Sequence, residues 1–205
     1  MKQKRFIDIL LSIGLLLLMG YQFFGDTFHE VIGAILFVLF IVHQILNLTW
    51  YAHLYKGKYT PLRIYFLLID GAVIVLMLMQ MYSAMVISRH VFAFLDIHSG
   101  SALARILHML GAYWSYVLIS MHIGNHVHLF SDSKWKKDSV ILISIYGIYA
   151  FILCHFIRYM FMMNLFVYMD YYEPIWRYYI DYIAIAILFM TISHGISNGL
   201  RKVKQ

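Results

Sequence analysis

Long apolar runs separated by short polar gaps occupy almost the whole chain. Six of them qualify as roughly 20-residue blocks, at about 6–25, 29–54, 62–88, 102–128, 139–163 and 177–199. A helix needs roughly 20 predominantly apolar residues to cross a bilayer. The pattern therefore predicts an all-α integral membrane bundle of about six transmembrane helices, forming one domain over residues 1–205 with its core at 29–163. Residues 1–24 have a basic start and an apolar run, but no convincing small-residue cleavage site precedes Asp26, so they read as the first span. One stretch departs from the alternation. Residues 159–179, YMFMMNLFVYMDYYEPIWRYY, are dense in aromatics and Met yet contain Asp170, Glu173 and Pro174. This predicts an amphipathic or irregular segment over about 159–176 on a membrane surface, ended by Pro174 before the last helix.

Charge sharpens this picture. Only 13% of the 205 residues are charged, about half the ~25% of a soluble domain. Of the sixteen Lys and Arg, twelve fall in alternate gaps: Lys2, Lys4 and Arg5; Lys56, Lys58 and Arg63; Lys134, Lys136 and Lys137; Arg201, Lys202 and Lys204. The positive-inside rule makes that side cytoplasmic and places both termini there, in a cell membrane. The net charge of +6 is thus a topology signal, and no nucleic-acid partner is implied. The lone Cys154 excludes an intrachain disulfide and a cysteine-ligated cluster.

Eleven histidines are many for so apolar a chain. His29 and His43 are fourteen residues apart on the second run, and His108 and His122 fourteen apart on the fourth. At ~100° per residue, each pair leaves nearly one helix face, about 21 Å apart along the axis. Both helices run from the outer to the inner side in the expected topology. His29 and His108 then share the outer level, and His43 and His122 the inner one. Neutral imidazoles from two helices are a common way to hold haem iron, so the expectation is two haems b between helices 2 and 4. His126, one turn beyond His122, is the rival inner ligand. Arg89 and Arg105 lie on the outer side, where a guanidinium suits a haem propionate; the bland alternative for each is an interface anchor.

The remaining polar residues are read as support. Asp70, inside the third run, needs a partner or a proton; it reads as a site of proton uptake near the inner haem, as a hydrogen-bond partner of a ligand histidine, or as a neutral acid bonded to an adjacent helix. His53 and His128 are expected near the inner interface, and His90 and His98 in an outer loop. His155 and His194 are expected within helices 5 and 6 as packing or quinone-contact residues.

Several short motifs, in order, resemble the flavinylation-associated cytochrome family. They are His29-Glu30; His43, Asn47 and Trp50-Tyr51; Lys56-Gly57-Lys58-Tyr59; Ser88-Arg89-His90-Val91-Phe92; Ser101-Ala102-Leu103-Ala104-Arg105 with His108; Ala112-Tyr113-Trp114; Ser120, His122-Ile123-Gly124 and His126; and Asp170, Glu173-Pro174 and Asp181-Tyr182. The resemblance implies a membrane b-type cytochrome that moves electrons across the bilayer, associated with an extracytoplasmic protein bearing covalent flavin. His128 departs from the aromatic residue common near His126 in that pattern.

The chain is accordingly expected to pass electrons between the quinone pool and an extracytoplasmic redox partner. Two rivals stay open: a haem-free transporter or proton channel using histidine relays, and a membrane anchor subunit of a larger redox complex. Catalytic residues, oligomeric state and the direction of electron flow are not specified by these motifs.

Overall fold

A computed structural model describes residues 2–97, 99–127 and 133–202. His98, His128 and Lys204 lie outside the described residues. Among those described, every regular element is helical: α1 (Lys2–Met19), α2 (Tyr21–Leu46), α3 (Leu48–Ala52), α4 (Pro61–Ile87), α5 (Ser101–His126), α6 (Lys134–Leu153), α7 (Phe156–Met160) and α8 (Ile175–Lys202), with a single 3-10 turn at Ala93–Leu95.

Four of these, α2, α4, α5 and α8, are long and apolar enough to cross a membrane. The first and fifth expected spans, α1 and α6, are helical but carry more charge. Lys2, Lys4, Arg5 and Asp8 crowd the start of α1, and Lys134, Lys136, Lys137 and Asp138 the start of α6.

Element boundaries follow local chemistry. Thr60 caps α4 by accepting a hydrogen bond from the Arg63 amide at 3.3 Å, with Pro61 in the first turn, where its missing N–H costs nothing. Gly25 interrupts α2 at φ 74°, ψ −176°. That region is closed to side chains with a Cβ, so the membrane-length part of α2 effectively restarts at Asp26. The expected fifth helix is also not continuous. It breaks at Cys154–His155, where His155 takes a left-handed φ of 54°, and α7 follows as a short separate turn. No Pro or Gly marks this break, which is why the apolar run reads as one helix in the sequence.

The elements form two groups. α5 packs against α4 and α8, and α6 packs on the other side of α8, while α1 and α2 form a separate pair. Two close approaches hold the larger group. A Cβ on Gly124 of α5 would lie 2.4 Å from the Met190 carbonyl oxygen of α8, and one on Gly147 of α6 2.4 Å from that of Ala184. Small residues of this kind let membrane helices touch backbone to backbone. Between the groups, α2 touches α4 lightly and has no extensive packing on α5. An apolar layer of Leu36, Phe40 and Met77, with Leu11, Leu15 and Ile119 against it, bridges this division. The described chain ends lie at the end of the bundle that holds His43. That is called here the terminal end, and the opposite one the distal end.

Candidate functional site

The division between α2 and α5 is spanned by two pairs of imidazoles. His29 and His108 face each other near the distal end, with ring centroids 5.9 Å apart and planes at 71°. His43 and His122 face each other toward the terminal end at 6.5 Å and 78°. Because α2 and α5 run in the same direction, the equal fourteen-residue intervals bring both pairs into register.

Hydrogen bonds set the orientation of three of the four rings. His122 Nδ1 lies 2.7 Å from Asp70 Oδ1, and His43 Nδ1 lies 2.8 Å from Asp8 Oδ1. A carboxylate only accepts, so Nδ1 carries the proton in both; this leaves Nε2 of His122 for a ligand, while Nε2 of His43 has the Asn47 side-chain amide 3.4 Å away. His108 Nδ1 lies 3.1 Å from Ser83 Oγ. The serine hydroxyl already donates to the Gln80 carbonyl at 3.0 Å, so its oxygen accepts from His108 and again leaves Nε2. His29 Nδ1 is buried with no hydrogen-bond partner among the described residues, and the Tyr21 ring packs edge-on against His29 at 5.3 Å. A histidine whose second nitrogen is held by a carboxylate or other acceptor is the usual form of a metal ligand.

The distal pair opens into a cavity of about 910 Å³. Arg89 and Arg105 line it together with His29 and His108. Arg89 is exposed and stands 3.5 Å from Asp26, whose carboxylate also accepts a hydrogen bond from Tyr21. The loop carrying Arg89 is gathered by Glu30. Its carboxylate accepts from Ser88 Oγ at 2.6 Å and from the backbone N–H groups of Arg89, His90 and Val91 at 2.8, 2.9 and 2.9 Å. Gly33, one turn from His29, also faces the cavity. A Cβ there would meet only Leu18, at 3.9 Å, so the lining is open beside the histidine.

These features fit a metal held between two imidazoles. Two nitrogens each about 2 Å from one ion place the ring centroids roughly 6 Å apart, close to the observed 5.9 and 6.5 Å. A flat macrocycle needs space beside the iron axis, and the cavity supplies it at the distal level.

Other sequence candidates fall elsewhere. His126 is exposed, with its ring centroid 4.8 Å from that of His122. One ligand atom each of Asp70, His122 and His126 lies within 4.8 Å of the others. His53 is exposed and donates to its own helix at the Thr49 carbonyl, 2.6 Å away. His90 is exposed in the distal loop. His155, expected inside a continuous helix, instead lines the distal cavity from the break between α6 and α7.

Asp8, Ser83 and Glu30 were not singled out as partners by the sequence. Asp8 had a usable signal, as a lone acid in an otherwise apolar run. Ser83, an ordinary serine on α4, had none. No family model, curated protein or solved structure matches the chain.

Proposed function

We propose that the chain is a membrane cytochrome b that carries electrons through two haems b between the quinone pool and an extracytoplasmic redox protein. The observation behind this is the pair of facing imidazoles at two levels, 5.9 and 6.5 Å apart, at matched intervals on parallel helices. In this reading α1 and α6 also cross the membrane, with their charged first turns in the inner headgroups. The terminal end is cytoplasmic, and the resemblance to flavinylation-associated cytochromes makes a flavin-bearing protein the partner at the distal end.

Bound haem supplies reversible one-electron chemistry at iron. The chain's residues do the rest. His29 with His108, and His43 with His122, would hold the two irons, His43 through an Nε2 that the Asn47 amide otherwise contacts at 3.4 Å. Asp8 and Asp70 hold the terminal-end rings in the ligating tautomer and raise their basicity. Arg89 and Arg105 supply positive charge for carboxylates at the distal mouth. Leu36, Phe40, Met77 and Ile119 keep water out of the space between the levels.

A pyridine haemochrome assay on purified protein tests this. Two haems b per chain are expected, and colourless protein overturns the proposal.

A second reading is favoured at one level only. The Asp70–His122–His126 cluster resembles a site for a transition metal, since imidazole with a carboxylate suits several such ions. One haem together with one equivalent of a chelatable metal by mass spectrometry would select it for the terminal-end level.

A further inference from the structure

The distal cavity has a wall that the histidine pair does not use. His29, His108 and Arg105 belong to α2 and α5; α1, α4 and the loop after α4 add further lining, and the α6–α7 break and the segment leading into α8 bring His155, Tyr159, Glu173 and Arg177 to the same space. The cavity, about 910 Å³, is lined by both the histidine pair and this wall.

This second wall has the features of a binding site. His155 holds a left-handed backbone, φ 54°, which is uncommon outside glycine and concentrates at functional positions. Glu173 is half-buried. Burial, with the nearby Asp181 carboxylate, pushes its carboxyl above the ordinary range, and Arg177 opposes this. Gln22 also lines the cavity, with its side chain against the Glu173 carboxylate. The flanking segment exposes Phe166 and Tyr172 almost fully, at 84% and 96%, as a segment seated among lipid headgroups does.

We infer that this wall binds the ring of a lipid-soluble quinol, with Glu173 taking the proton of one hydroxyl and His155 hydrogen-bonding the other. The inference rests on the electron-transfer reading above and locates its donor. Such a molecule is flat and apolar, with two hydroxyls across the ring, and it reaches the protein through lipid. On oxidation the quinol loses two protons and two electrons and becomes the quinone. The proton of the hydroxyl at Glu173 passes to its carboxylate and the other leaves through His155, both reaching water at the distal mouth. The electrons would pass one at a time to a haem that His29 and His108 would hold, so two such transfers complete each quinol.

The test uses full-length, haem-loaded protein in detergent with decylubiquinone and its quinol. Calorimetry reads binding of the quinone, and stopped-flow absorbance reads haem reduction by the quinol. Glu173→Gln should slow reduction by a factor on the order of 100, the scale of general-base catalysis, with an unchanged haem spectrum. His155→Asn keeps a residue that tolerates the left-handed backbone and should weaken quinone binding about tenfold. An unchanged haem spectrum shows that each variant is folded. If both variants bind and are reduced like the parent, the quinol site lies elsewhere, and this inference fails while electron transfer stands. If the parent carries haem that dithionite reduces, yet neither binds decylubiquinone nor is reduced by its quinol, both this site and the quinone half of the proposed function fall.

Discussion

Asp70 of α4 stands 2.7 Å from Nδ1 of His122 on α5, and its carboxylate is mostly shielded, with 13% of the side chain exposed. A carboxylate in a membrane span is costly without a partner, so this contact resolves the cost of Asp70 and the tautomer of His122 together. Replacing Asp70 with Leu removes the acceptor and frees the ring to rotate. Partners of this kind are worth 10–100-fold in metal affinity. Asp70→Leu should therefore weaken haem binding at the terminal-end level by about that factor and spare the distal level. Haem titration into apoprotein, with the two haems separated by potential, checks this. Equal affinity at both levels before and after substitution refutes the role.

Asp70 also marks how far the sequence could be read. A lone acid in an apolar run demands a partner, and histidine was a natural one. The register of the two histidine pairs was legible for a similar reason: equal intervals on two helices of one direction align whatever lies between them. The helix runs were legible because membrane-length apolarity is a one-dimensional signal. What escaped reading was non-local or masked. Ser83 reaches His108 only because α4 packs on α5, and no periodicity carries that information. Glu30 beside His29 was visible as a motif, but its role depends on a loop fifty-eight residues away. The break at His155 was hidden because the apolar residues around it suit a helix and a broken helix equally.

Glu30 gathers one side-chain hydroxyl and three backbone N–H groups of the α4–α5 loop. Hydrogen bonds to a charged acceptor contribute roughly 1.5–3 kcal/mol each when shielded, but this loop is largely open to solvent, which replaces part of the loss. Glu30→Ala should lower stability in detergent by about 1–3 kcal/mol and speed amide exchange at Arg89–Val91. Thermal unfolding and hydrogen exchange measure the two effects, and unaltered exchange in the loop would reject the clamp.

The backbone approach of α5 to α8 makes a sharp steric test. At Gly124 the added Cβ would meet the carbonyl oxygen, Cα and carbonyl carbon of Met190 at 2.4, 2.6 and 2.9 Å, none of which a rotamer change can move. Gly124→Ala should destabilise by about 1–3 kcal/mol, the range for overpacking. Gly195 in α8 is the control, because a Cβ there meets nothing within 4 Å. Gly195→Ala should be neutral or stabilising by about 0.5–1 kcal/mol through helix propensity. If the two substitutions shift the unfolding midpoint equally, α5 and α8 are not packed as described.

The assignment of ligands to levels gives the most demanding prediction. His29 faces His108 and His43 faces His122, and along each helix the two levels are fourteen residues, about 21 Å, apart. Removing one imidazole leaves the iron it would bind with a single protein ligand, so that haem should be lost or turn high-spin while the other stays low-spin. His29→Ala and His108→Ala should then abolish one and the same redox transition, and His43→Ala and His122→Ala the other. His126→Ala is the discriminating control: its ring is exposed and sits beside that of His122. It should leave both transitions in place. Redox titration with electron paramagnetic resonance of each variant separates the cases. Loss of the terminal-end transition in His126→Ala but not in His122→Ala would move that ligand one turn along α5. Loss of a single shared transition in both His29→Ala and His43→Ala would show that one metal, not two, lies between α2 and α5.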